Sequence, residues 1–476
     1  MDIAIAKGDG IGPEIMDACL YILKEANVAL TYHEVDVGEK VYLAGNPTGI
    51  TQSAWEVLRS VKAFLKAPIT TPQGGGFKSL NVAIRSCFGL YANVRPCRAY
   101  FPAVDTKHPG MDLVIIRENE EDLYTGIEYQ PTHDHFLALK AITEPGCEKI
   151  IRYAFEYAKT NNRKKVTCFT KDNIMKMSDG LFHKTFDLIA KEYPDITAEH
   201  WIIDIGAAKM ADTPENFDVI VTLNLYGDIL SDIAAQIAAS VGIAGSANIG
   251  KDFAMFEAIH GSAPRRANQN LANPSGLLLA SVMMLVHLGL TQDAENIHNA
   301  WLKTLEDGIH TYDIFEEGKS RLKVGTKEFA KAVVERLGQK PCVLQPVHYA
   351  EKAKDLTQGH QSIGNNTSKK ELIGLDVYLE ETGPFETLPE RLKQLEGALR
   401  LQAITYRGNT VWPTTQQNIQ HGLLLRARFL AEKPSSQAVA LDLVKKLDAA
   451  HFQVTSCQML YTYDGKNGFS KLGESS

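Results

Sequence analysis

The strongest constraint on the fold is an alternation sustained from residue 1 to about residue 345. Short strand-like runs (VKAFLKAPI, MDLVIIRE, KKVTCFTK, FDVIVTLNL) are separated by segments such as CEKIIRYAFEYAKTN and LFHKTFDLIAKEY, whose apolar residues recur every three to four positions. Apolar strands need cover on their faces and amphipathic helices need a face to bury, so this stretch predicts an α/β arrangement. The alternation stops at TQGHQSIGNNTSKK, residues 357–370, which is polar and aperiodic and predicts a linker, taken with its flank as 346–370. It then restarts: ELIGLDVYLE, PERLKQLEGAL, RLQAITYR, SQAVALDLVKKLDAA and HFQVTSCQMLYTY read as β-α-β-α-β. That is a small α+β module over 371–476, long enough to fold by itself.

Bulk properties narrow the function classes. At 476 residues and 44% hydrophobic content the chain has material for two or three domains, and a net charge of −7 leaves no basic footprint for nucleic acid. The longest apolar run, GLLLASVMMLV (276–286), falls well short of the roughly 20 residues a bilayer span requires. The chain opens on a strand-like segment containing Asp2, without a cationic leader. Seven scattered cysteines never form C-x-x-C, which argues for a reducing cytoplasm and against a thiolate metal site. The expectation is a soluble cytoplasmic protein with neither a nucleic-acid nor a membrane partner.

Near the N-terminus KGDGIGPEI links a strand-like run to a helical one. Its spacing is G-x-G-x-G (Gly8, Gly10, Gly12) rather than the G-x-G-x-x-G of a dinucleotide fingerprint, and Pro13 marks a helix start. The densest stretch is TTPQGGGFKSLNVAIRSCFGLYANVRPCRAY, residues 70–100, followed by VIIRENEEDLYTG. Arg85, Arg95 and Arg117 could clamp several carboxylates with their planar forks, and Ser79 and Asn81 could reach one more from a helix start. The alternative is a flexible loop with three solvated arginines.

In NLYGDILSDIAAQIAAS, Asp228 and Asp232 are four apart on one helix face and suit a hard divalent cation; equally, they could simply decorate the first turns of a helix. Asp204 in WIIDIGAAKM is a possible third acid. In FEAIHGSAPRRANQNLANPSG, Arg265 and Arg266 form a cationic pair able to meet a phosphate, or a solvated pair. The run after Pro274 is apolar nearly all round and predicts a buried helix. Lys171 ends a strand, where sites gather in α/β proteins, and Tyr124 lies in EDLYTGIEY; each alone could equally be structural. His133 and His135 in PTHDHF read as loop.

In this order GDGIGPE, TTPQGGG, the arginine segment, RENEEDLYTGIE, KDNIMK, NLYGDILSD and HGSAP…NP resemble the decarboxylating dehydrogenases of β-substituted malates, the isocitrate/isopropylmalate dehydrogenase family. The resemblance covers residues 1 to about 345 and implies that family's fold, not a Rossmann fold. It implies a large cofactor-side domain from 1–90 and 240–345, and a smaller one from 91–239 with substrate and metal residues, dimer contacts and a clasp-like segment near 122–143. SLNVAIR resembles the isocitrate branch, where a serine and an asparagine meet the γ-carboxylate. Homoisocitrate and isopropylmalate remain sister possibilities, as does a catalytically silent regulatory subunit.

The resemblance further implies residue roles. Ser79 and Asn81 would take the γ-carboxylate and Arg85, Arg95 and Arg117 the α- and β-carboxylates, with Asn173 orienting the substrate. Asp228 and Asp232, with Asp204 of the partner subunit, would hold Mg²⁺ or Mn²⁺. Lys171, also from the partner subunit, would be the base at the C2 hydroxyl, and Tyr124 the acid at C3. A homo-oligomer, at least a dimer with shared sites, follows. Thr70, the loop His260, Gly261, Ser262, Ala263, Pro264, Arg265 and Arg266, together with Asn273 and Tyr312, would hold the cofactor. That loop has no acid and two arginines, which favours the 2′-phosphate of NADP, although Glu316 stands where some NADP members carry an arginine. The module at 371–476 resembles the extra domain of the longer bacterial isocitrate dehydrogenases and is expected to serve assembly, with a small-ligand regulatory role as the alternative.

Overall fold

The computed structural model describes residues 1–70, 79–350, 367–413 and 422–471, so most of TTPQGGG and most of the polar stretch at 357–370 lie outside the described residues. The chain forms two compact units, one from Met1–Thr125 and Ala141–His360, the other from Gly126–Lys140 and Gln361–Ser476.

The first unit is built on a ten-stranded mixed sheet. From one edge to the other its strands are Thr31–Glu34, Asp2–Ala6, Ala63–Lys66, Ala254–Ala258, Gly245–Ile249, Ala92–Arg98, Asp112–Glu118, Val219–Thr222, Lys165–Thr170 and Thr197–Ile202. Both flanks are parallel, whereas Gly245–Ile249 and Ala92–Arg98 run antiparallel to their neighbours in the middle. This is not the all-parallel sheet of a Rossmann domain. Pro13 opens the helix Gly12–Glu25, where its missing N–H costs nothing. The helix Ser275–His287 is buried over most of its circumference, as its apolar sequence predicts. The helix Asn224–Ala238 packs Leu230, Ala234 and Ala238 against Ile115, Phe169 and Ile220 of the sheet, which leaves Asp232 exposed together with Ile229 and Ile233.

The second unit is an antiparallel sheet in the order Asn409–Trp412, Arg400–Tyr406, Leu424–Ser435, Lys370–Glu380, Gln453–Tyr463 and Lys466–Asn467. The helices Leu388–Lys393 and Gln437–Ala449 cover one face through Leu392, Leu443 and Leu447, which meet Leu375, Val377, Leu379 and Phe429. The hairpin Glu128–Thr132/His135–Ala138 belongs to this unit, so PTHDHF is part of a hairpin and not a loop; Thr132 and Asp134 bond the His135 ring.

The β-α-β-α-β reading of the module misses its central strand, Leu424–Ser435. LLRARFLAEK is rich in good helix formers and breaks the strand alternation, since Ala427, Arg428 and Phe429 are buried in succession. Arg428 is buried on the face opposite Ala427 and Phe429, where Asp376, its cross-strand neighbour, accepts from Nε and from Nη2, both at 2.7 Å. Breaking a buried pair leaves an uncompensated charge, so Asp376→Ala is expected to destabilise the second unit by about 3–5 kcal/mol, whereas Asp376→Leu with Arg428→Met costs far less. Denaturant unfolding, with amide exchange in the strands Lys370–Glu380 and Leu424–Ser435, measures the difference.

Candidate active site

Ordinary burial does not tolerate a lone charge, and the middle of the large sheet meets this requirement with a connected polar row. Glu257 sits in an otherwise apolar strand, and Lys66 reaches it at 2.8 Å from the neighbouring strand. Arg85 donates to the same carboxylate at 3.2 Å and Asn248 at 2.9 Å. The row continues as Asn93 donates to Asn248 at 3.1 Å, and Arg95 Nε donates to Asn93 at 2.6 Å. Burial pushes the Glu257 carboxyl up, but Lys66 and Arg85 outweigh it and hold the group well below the usual range.

Lys66 and Glu257 of this row line a cleft of about 200 Å³, together with Ser79, Asn81, Arg85, Arg95, Arg117, Tyr124, Asp228, His260 and Gly261. Arg117 leaves the end of its strand and lies under the helix Asn224–Ala238, where its Nε donates to the Asn224 carbonyl at 3.0 Å. The helix can come this close because of Gly227: a Cβ there would stand 2.5 Å from the Arg117 side chain. Arg117 Nη1 pairs with Asp228, whose other oxygen accepts from the Tyr124 hydroxyl at 2.7 Å. Burial, with Arg95 and Arg85 nearby, pushes the Arg117 guanidinium down to about 9. Burial raises the Asp228 carboxyl, yet Arg117 and Arg95 prevail and keep it below the ordinary value. Burial raises both Asp232 and the Tyr124 phenol.

The cleft also contains unmet hydrogen-bonding capacity. Among the described residues no partner reaches the buried atoms Asn81 Oδ1, Arg85 Nε and His260 Nε2, and Ser79 stands at the start of the helix Leu80–Cys87 without capping it. Buried orphans of this kind, beside three arginines, fit an anionic ligand bearing oxygen atoms.

Lys171 and Asp204 lie elsewhere. Lys171 Nζ donates to Asp204 Oδ2 at 2.8 Å, and Asn173 is exposed just beyond. Neither Lys171 nor Asp204 lines the cleft, and among the described residues Asp204 does not cluster with Asp228 and Asp232. The three acids nonetheless suit Mg²⁺ or Mn²⁺ as a donor set, being all hard oxygen ligands; Asp232 and Asp204 each expose 65% of their side chains.

A second cavity, of about 550 Å³, adjoins the cleft through His260 and Gly261 and is lined by Ala263, Arg266, Asn273 and Tyr312. Apart from its chain neighbours, an added Cβ on Gly261 would meet no atom of the described residues within 4 Å. Arg266 lies over the Tyr312 ring at 4.9 Å and bonds its hydroxyl. Arg265 does not line the cavity; its carbonyl accepts from Gln269. Glu316 is held by Lys319 at 2.9 Å and does not line it either. Pro264 opens a short turn, and Thr70 reaches Ser262 hydroxyl to hydroxyl at 2.7 Å. The GDGIGP turn braces this loop from behind: Ile11 N–H donates to the Ser262 carbonyl at 2.9 Å, and a Cβ on Gly10 would collide with that carbonyl. The cavity, with Arg266 in its lining, fits a phosphorylated dinucleotide.

Sequence reasoning missed Lys66, Glu257 and Asp313. The first two could have been found as single charges inside apolar strands, AFLK and AMFEA. Asp313 lines the second cavity and accepts from Ser240, Thr311 and Asn273, a convergence that no local pattern announces.

Residues 2–333 match the family model for isocitrate/isopropylmalate dehydrogenase, and residues 370–474 match that for the bacterial isocitrate dehydrogenase C-terminal domain. The isocitrate dehydrogenase [NADP] of Rickettsia bellii is 50% identical over 98% of both chains. That of Thermus thermophilus is 40% identical over 98% of this chain and 95% of its own. A crystal structure of a Thermus thermophilus protein superposes with a TM-score of 0.93 at 40% identity, covering 99% of this chain and 95% of that one. Isocitrate dehydrogenase from Methylococcus capsulatus gives 0.67 at 41% identity, over 71% of this chain and 99% of its own. With a polar cleft, a nucleotide-sized cavity and this likeness over nearly its whole length, the chain belongs to the isocitrate/isopropylmalate dehydrogenase family.

Proposed function

We propose that this chain catalyses the oxidative decarboxylation of isocitrate to 2-oxoglutarate and CO₂, with reduction of NADP and dependence on Mg²⁺ or Mn²⁺. The observation that carries the reading is the cleft in which Arg85, Arg95 and Arg117 meet Ser79 and Asn81, in a chain half identical over its length to a relative named for NADP and isocitrate.

The arginines bind the α- and β-carboxylates, and Ser79 and Asn81 take the γ-carboxylate, an arrangement suited to a tricarboxylate and not to an apolar side chain. Asp228 and Asp232 hold the metal with the partner's Asp204. Bound metal supplies Lewis-acid polarisation of the substrate oxygens, and NADP supplies the hydride acceptor. The partner's Lys171 takes the C2 hydroxyl proton, and Asn173 orients the substrate there. Tyr124 holds its proton firmly because burial and the bond to Asp228 raise its phenol, and it delivers that proton to C3 after CO₂ leaves. His260, Gly261, Ala263, Arg266, Asn273 and Tyr312 hold the nucleotide, with Thr70, Ser262, Pro264 and Arg265 shaping the loop.

The separation of Lys171 and Asp204 from the cleft within one chain supports a site completed by a second subunit. So do exposed apolar side chains close in sequence to both sets: Ile174, Met177 and Ile205 near Lys171 and Asp204, and Ile229 and Ile233 next to Asp228 and Asp232. The reading is a homodimer or larger assembly, to which the 371–476 module contributes, acting in the cytoplasm, where its seven free cysteines stay reduced.

Three measurements test this. Turnover with Mn²⁺ should be found with isocitrate and NADP; preference for isopropylmalate overturns the Ser79 and Asn81 placement. Arg266→Asp should lower kcat/KM for NADP by ~10- to 150-fold, the loss of a charge-assisted contact, with a much smaller effect for NAD and for Arg265→Asp. Ile229→Asp with Ile233→Asp should yield folded, inactive monomers in sedimentation; an intact, active dimer refutes the shared site.

A further inference from the structure

Three metal-ligating side chains meet outside the cleft, at the end of the strand Lys165–Thr170. Asp172 follows that strand, His183 lies on the helix Ser178–Ala190 and His200 on the edge strand Thr197–Ile202. Among the described residues they form the only group of three such side chains whose ligand atoms all lie within 4.8 Å of one another. His183 Nδ1 stands 2.6 Å from one Asp172 oxygen, and His200 Nε2 stands 3.9 Å from the other. The imidazoles stack with centroids 3.5 Å apart at 15°. Two imidazoles so close cannot comfortably both carry a proton. Burial, then the nearness of His183, pushes His200 below its ordinary value.

We propose that Asp172, His183 and His200 form a second cation site, for a borderline-soft divalent ion of the zinc class. Two imidazoles and a carboxylate are the donor set that zinc selects, unlike the all-oxygen set of Asp204, Asp228 and Asp232. Zinc bonds of about 2.0–2.2 Å in tetrahedral geometry put ligand atoms roughly 3.3–3.5 Å apart, and the observed 2.6 and 3.9 Å straddle that separation. The stacked rings must turn to aim both nitrogens at one ion, a rotation about the broad histidine χ2. The three side chains are 17–27% exposed, which leaves solvent access to a fourth ligand position. An Asp187 oxygen lies 3.7 Å from His183 Nε2, the non-ligating ring nitrogen, where a carboxylate orients a ligating imidazole, while the Thr170 hydroxyl, 2.7 Å from His200 Nε2, must release that nitrogen to the ion.

The site is joined to the residue proposed as the base. Asp172 follows Lys171 directly, and the Lys171 N–H donates to Asp179 at 2.7 Å. A cation on Asp172 restrains this turn, so under the isocitrate reading its binding slows turnover through Lys171.

Full-length protein without an affinity tag, in saturating Mg²⁺, is titrated with Zn²⁺ and in parallel with Co²⁺ as a visible probe. Wild type is expected to take up one Zn²⁺ per chain that excess Mg²⁺ does not displace, and Co²⁺ to show the d–d bands of a low-coordinate nitrogen–oxygen site. His183→Gln with His200→Gln loses both signals, and Asp187→Asn weakens zinc by about ten- to a hundredfold. No uptake by wild type, or equal uptake by the double variant, overturns the site. Isocitrate turnover falls with zinc in wild type and not in the double variant; uptake with unchanged turnover overturns the coupling to Lys171. A protein that binds zinc through these histidines but never turns over isocitrate counts against the isocitrate reading alone.

Discussion

A buried carboxylate at Glu257, held between Lys66, Arg85 and Asn248, is the interaction on which the cleft depends. Without it two buried cations would face each other inside the sheet, at a cost that packing alone does not return. With it, Arg85 is tethered by one nitrogen while Nε is left without a partner among the described residues. The same row fixes Arg95 through Asn93 and Asn248, so the guanidiniums arrive at the cleft already aimed. Pre-orientation of this kind lowers the entropy lost when an anion binds.

The mixed sheet is what makes the row possible. Antiparallel Gly245–Ile249 places Asn248 opposite Asn93 of one neighbour, while parallel pairing places Glu257 opposite Lys66. A fully parallel sheet would ordinarily fill these central positions with branched apolar residues. Here a central polar seam divides two apolar flanks, and the first cleft opens along it. The two cavities meet at His260 and Gly261, which brings a substrate-sized space against a nucleotide-sized one.

Much of this is legible in the chain. The helical and strand periods predict the α/β body, Pro13 the start of the first long helix, and the all-round apolar run the buried helix Ser275–His287. Arg85, Arg95, Arg117, Ser79 and Asn81 stand out by residue type and spacing alone, and they line one cleft. Where reading failed, a charged residue was doing what hydrophobic patterning assigns to apolar ones. Arg428 hid a central strand because its partner, Asp376, lies 52 residues away. Lys66 and Glu257 escaped notice for the same reason.

The sequence by itself determined the α/β alternation of the first 345 residues, the family and the chemical character of each candidate group, because periodicity, turn chemistry and residue identity are local properties. Only the tertiary structure decided which groups meet. It put Arg266 and not Arg265 on the nucleotide-sized cavity, paired Lys171 with Asp204 away from the arginines, and gathered Asp172, His183 and His200 from three elements. The physical reason is that the free energy of a charge or a lone pair depends on what stands within a few ångströms of it, and spacing along the chain does not record that distance.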